Sequence, residues 1–138
     1  MRKDARETAF KILYSSLYNE GETTPLFDEI AKEAKLTNEE TEYALKIIAA
    51  VNGNKKEIDS AIERLAEKAR YRLERIYPTD LCALYIGIAE MNYTGVPAIV
   101  AIDEAVNLCS KYSEKESASF VNGILAAYKK ERENASEQ

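Results

Sequence analysis

The sequence predicts an all-α fold of about seven helices, arranged as two packed small helical bundles. Three observations predict it. Only 5 Gly and 3 Pro occur in 138 residues, which leaves few places to turn a strand. Apolar residues recur every three or four positions along most of the chain. Capping patterns and prolines then mark where those periodic segments begin. With 46% hydrophobic and 31% charged residues, the composition is that of one globular domain with a real core.

The first helix is expected over Lys3–Asn19, with Phe10, Leu13, Tyr14, Leu17 and Tyr18 on one face and Gly21 ending it. A short second helix follows Pro25, carries Leu26, Phe27, Ile30 and Ala31, and stops near Leu36. Thr37-Asn-Glu-Glu40 has the form of a capping box and opens the third, which buries Tyr43, Ala44, Ile47, Ile48 and Val51 before Gly53. Asn54 is placed to cap a fourth, with Glu57 bonding back and Ile58, Ile62, Leu65, Ala66 and Ala69 as its stripe. The short connection implies that helices three and four pack as a hairpin.

Pro78 suits the first turn of a fifth helix through Leu81, Leu84, Tyr85, Ile88 and Met91, broken at Thr94-Gly95. Pro97 opens a sixth, with Ile99, Ile102, Ala105, Val106 and Cys109 facing inward. Val96–Ile102 is the one stretch with strand character, but Pro97 and the helical period that follows favour a helix. Ser113-Glu-Lys-Glu116 is a second capping box, leading into a last helix through Phe120, Val121, Ile124, Leu125 and Tyr128. Gly123 would let another helix approach closely, and Asn122 would bond a neighbouring backbone. Residues 131–138 read as a polar, partly disordered tail of the single domain 1–138.

Chemistry is conspicuously scarce. The chain has no histidine and no paired-cysteine motif, so no metal site is expected. Cys82 and Cys109 lie 27 residues apart in apolar segments and are expected as buried reduced thiols. No Gly-rich phosphate loop occurs, and Asp103-Glu104, being adjacent on a helix, diverge by about 100°. No catalytic residue and no cofactor are expected, and the chain is read as a non-enzyme. No apolar run approaches the roughly 20 residues that span a bilayer, and the charged N-terminus does not lead into a secretory signal. A cytoplasmic protein without membrane contact follows as the expectation.

Net charge is −5, from 19 basic and 24 acidic residues, which argues against strong nucleic-acid affinity by the domain alone. It leaves room for a local cationic patch or a basic partner. Arg2, Lys3 and Arg6 place local positive charge at the amino end, and Tyr14 and Tyr18 on the same helix read first as packing residues. The basic residues Arg64, Lys68, Arg70, Arg72 and Arg75 alternate with Glu63, Glu67 and Glu74 and read as a solvated face.

Three segments resemble the NusB family of transcription antitermination factors: Arg2–Tyr14 with its Ala-Arg-Glu and Leu-Tyr elements; Leu73–Glu90 with Arg75-Ile76, Asp80 and Glu90; and Val96-Pro97, Ala101-Ile-Asp-Glu-Ala105, Glu116-Ser117 and Phe120-Val-Asn-Gly-Ile-Leu125. Together they cover nearly the whole chain, with residues 20–70 matching mainly in pattern. The resemblance implies a factor that pairs with NusE, a small-subunit ribosomal protein, and binds boxA-containing nascent RNA within the transcription elongation complex, supporting ribosomal RNA transcription. It places Arg2, Lys3, Arg6, Tyr14, Glu116 and Ser119 toward RNA and Glu74 and Asp80 toward NusE. It also allows homodimers.

Four positions depart from the family pattern. Asp4 interrupts the basic opening, Leu81 and Tyr85 stand where basic residues are common, and Ser119 replaces a frequent Lys. These weaken the RNA side specifically. The alternative they leave is a helical protein-interaction module that has lost most intrinsic RNA binding.

Overall fold

The computed structural model describes residues 2–18, 24–69 and 75–136. Seven helices follow one another there, and no strand occurs among the described residues: α1 (Arg2–Tyr18), α2 (Thr24–Glu33), α3 (Asn38–Gly53), α4 (Lys55–Lys68), α5 (Pro78–Tyr93), α6 (Ala98–Tyr112) and α7 (Lys115–Ser136). The Val96–Ile102 stretch is helical from Ala98 onward. The expected end of the first helix at Gly21 lies outside the described residues.

Helix α5 organises the rest. Every residue from Cys82 to Met91 is buried, because α1 and α3 pack on one side of it and α6 and α7 on the other. This joins the two helical groups into one continuous core, in which Ile12, Ile47, Ile62, Leu84, Ile86, Ile88 and Leu125 are almost completely enclosed. A helix that is apolar all round has no solvent face to offer and must be surrounded. The expected hairpin is only a minor contact: α3 packs chiefly on α1, and α4 packs more on α7 than on α3.

The Thr37 capping box forms as predicted. The Thr37 hydroxyl accepts from the Glu40 amide at 3.1 Å, and the Glu40 carboxylate accepts from the Thr37 amide at 3.0 Å. Pro78 occupies the first turn of α5. Other caps differ. Asn54 makes no side-chain cap for α4; its amide turns back and donates to the Ala50 carbonyl at 2.8 Å, closing α3 instead. Its φ of −128° and ψ of 20° are not the extended geometry that a capping residue needs. The Ser113 hydroxyl is engaged with α5, donating to Asp80 at 3.0 Å and bonded to Thr79.

Two packing expectations are corrected. The close approach of helices is at Gly87, where an added Cβ would meet Leu125 and Ala105; at Gly123 nothing lies within 4 Å. Asn122, next to it, is exposed. Ile99 is 65% exposed because it lies off the inward face of α6, which Ala101, Ile102, Ala105, Leu108 and Cys109 form with Ala98 packed at its start. Helix α7 runs on through the polar residues 131–136, where Glu131 pairs with Arg64 and lies 3.7 Å from Lys68. No described helix is long and apolar enough to cross a membrane.

Candidate nucleic-acid interface

The amino end of α1 brings its cations to very different environments. Arg2 and Lys3 are exposed. Arg6 lies one turn from Arg2 on the same face, and that face is turned into the protein. Its Nε and Nη2 fork onto the Glu90 carboxylate at 2.6 and 2.9 Å, and its Nη1 is 3.4 Å from Glu104. Glu90 is 0% exposed, and the Tyr43 hydroxyl donates to the same carboxylate. Burial alone would disfavour the Arg6 charge, but the hydrogen bond and attraction of Glu90 outweigh it and hold the guanidinium pKa above its ordinary value. Arg6 is therefore a buried strut, its guanidinium shared between Glu90 and Glu104.

Arg2 belongs to the same chain of contacts from the outside. Its guanidinium carbon lies 4.4 Å from the centroid of the Tyr43 ring. Glu104, Arg6, Glu90, Tyr43 and Arg2 thus connect α6, α1, α5 and α3.

The other end of α1 carries a ladder of rings. Tyr112 stacks on Phe10 at 4.8 Å between centroids, Phe10 on Tyr14 at 6.5 Å, and Tyr14 meets Tyr18 at 5.4 Å in a tilted arrangement. Tyr14 and Tyr18 line a cleft of about 600 Å³ together with Tyr77, Tyr112, Glu116 and Ser117. The cleft joins α1 to the start of α5 and the α6–α7 junction. Tyr112 is fixed by donating its hydroxyl to Glu7, which also receives Lys111 Nζ at 2.8 and 3.0 Å.

Of the residues expected at the interface, Tyr14 and Glu116 come together in this cleft. Ser119 is exposed and lines a neighbouring apolar groove with Leu65 and Phe120, which Glu116 also borders. Arg2 and Tyr14 are separated by about 18 Å of helix axis, so the cationic and aromatic ends of α1 are distinct. Asp80 is buried, accepting from Cys109 Sγ at 3.3 Å and from the Ser113 hydroxyl at 3.0 Å. Glu74 lies outside the described residues. Tyr77 and Tyr112 escaped the sequence reading: Tyr77 precedes α5 outside any apolar period, and Tyr112, which continues the Ala105–Cys109 stripe of α6, reads there as packing alone.

The family model described as the NusB family matches residues 3–130. The chain belongs to the NusB family. The transcription antitermination protein NusB of Acetivibrio thermocellus is 35% identical over 90% of this chain and 85% of its own length. That of Desulfotalea psychrophila is 35% identical over 94% and 95%. A crystal structure of antitermination factors NusB and NusE in complex with dsRNA shares the fold at TM-score 0.80 and 31% identity, covering 91% of this chain and 93% of that one. The solution structure of NusB from Aquifex aeolicus does so at TM-score 0.80 and 30% identity, over 99% and 93%.

Within this NusB-family fold the departures on α5 have a structural cause. Tyr85 is buried and donates to Asp59 at 2.6 Å, and Leu81 packs against the core. Burial and the hydrogen bond to Asp59 push the Tyr85 phenol well above its ordinary pKa, so it stays protonated and neutral. Both positions contribute to packing and neither adds positive charge.

Proposed function

We propose that this protein is a transcription antitermination factor that binds boxA RNA together with NusE and supports ribosomal RNA transcription. The observation that carries this is the family match across residues 3–130, joined to a fold shared with a NusB–NusE–dsRNA complex. Arg2 and Lys3 supply phosphate contacts, while Tyr14, Glu116 and Ser119 line the RNA path. Glu74 contributes to the NusE contact. Net charge −5 gives the chain a complementary surface for a basic ribosomal protein, which in turn supplies the cations that this chain lacks. The complex works in the cytoplasm on the elongating polymerase.

A gel shift with purified NusE and a boxA oligonucleotide at moderate salt tests this. A ternary complex is expected, and reversing Arg2 and Lys3 to Glu abolishes the RNA shift while NusE still binds. No ternary complex, with a known NusB as a working control, would remove the proposal. RNA binding indifferent to the charge reversal would move the contact away from the amino end.

A further inference from the structure

We infer that Tyr43 is a positioning residue for RNA binding: its ring holds the Arg2 guanidinium in place at the amino end of α1. The inference rests on the RNA-adaptor reading above and names a residue that does not itself touch RNA. Tyr43 sits on α3 and is nearly enclosed. Its hydroxyl is anchored by Glu90, and Glu90 is in turn gripped by both forks of Arg6. Packing in the core is what keeps the ring against the helix end, and the hydroxyl bond adds to a position already enclosed.

Arg2 needs such a support. A long side chain on the first turn of a helix has many rotamers and would lose that freedom on meeting a phosphate. With its guanidinium 4.4 Å from the ring centroid, part of that ordering has already happened before RNA arrives. An aromatic face attracts the cation without consuming its N–H donors, so the planar fork stays available for phosphate oxygens. Glu90 also neutralises Arg6, which would otherwise repel Arg2 from one turn away. In a chain of net charge −5, a cation held in a fixed place matters more than it would in a basic protein.

The test is a mutant cycle read by fluorescence anisotropy of a boxA oligonucleotide with the NusE-bound protein. Arg2→Ala is expected to weaken binding by about threefold to tenfold, and Tyr43→Leu by a similar factor, as a cation–π support would give. The double variant should bind no worse than Arg2→Ala alone. Tyr43→Phe keeps the ring and should stay within about twofold of the parent. Ile62→Ala removes core from α4 and serves as the control for lost stability; it should leave RNA affinity unchanged.

Parental affinity in Tyr43→Leu, or losses that multiply in the double variant, would overturn the inference. So would an equal loss in Ile62→Ala, which would make the Tyr43 effect one of general destabilisation. If the parent complex binds no RNA at all, the adaptor function itself falls, an outcome distinct from the other three.

Discussion

Gly87 and Leu125 meet so closely where α5 crosses α7 that a Cβ at residue 87 would lie 2.7 Å from Leu125 Cδ1 and 3.1 Å from Cδ2. Ala105 Cβ closes the other side at 3.2 Å, and Leu125 is fully buried, so its methyl groups have nowhere to go. Gly87→Ala is expected to destabilise the fold by about 1 kcal/mol, an overpacking cost larger than the gain in helix propensity. Urea denaturation checks this. Combining it with Leu125→Ala should cost less than the sum of the two single changes, since each relieves the other.

The Arg6–Glu90 pair gives a second expectation. Removing one partner leaves an uncompensated charge in the core, so Glu90→Ala or Arg6→Ala should each lose roughly 3–5 kcal/mol. Replacing both, as Arg6→Met with Glu90→Leu, should cost much less than either alone. Equilibrium unfolding of the three variants decides it; a double variant as unstable as the sum would show that the pair is not a closed unit.

Glu7 makes stability sensitive to acid. Burial alone would raise its pKa, but the hydrogen bonds from Lys111 and Tyr112 outweigh that and leave it below the ordinary carboxylate value. A depressed carboxylate contributes stability that is present above its unfolded-state pKa and is lost as pH falls through the lower folded-state one. Glu7→Gln should therefore be less stable than the parent at pH 7, and the difference should vanish below the acidic end of the carboxylate range. Thermal melts at a series of pH values measure it.

The two thiols should be inert. Burial pushes Cys82 up to about 12, with no hydrogen-bond partner needed to explain it. Cys109 is likewise raised to about 12, by burial first and then by the charge and hydrogen bond of Asp80. Since the thiolate is the reactive form, neither residue should react with a thiol reagent at pH 8 until the protein is unfolded. Rapid labelling of either in the native state would contradict the enclosed core.

Much of the fold was legible because its causes are local. The Thr37–Glu40 box, Pro78 at the start of α5 and the apolar period of each helix act within a few residues of chain. What could not be read depends on distant partners. Arg2 and Arg6 look equivalent in sequence, yet one meets solvent and the other meets Glu90, 84 residues away. Gly87 and Gly123 are both helical glycines, and only the crossing of α5 with α7 tells which is pressed. Ile99 belongs to an apolar period but falls on the flank of α6 that no neighbour covers, while Ala98 and Ala101 of the same turn pack on the core. Tyr112 joined the aromatic cleft through Glu7 and Phe10, contacts that no spacing rule anticipates.

Helix α5, hemmed in by neighbours on every flank from Cys82 to Met91, leaves evolution almost no latitude along the molecular axis. Changes of charge are tolerated instead on the exposed flanks of α1, α4, α6 and α7, where a new side chain meets solvent and leaves the scaffold intact.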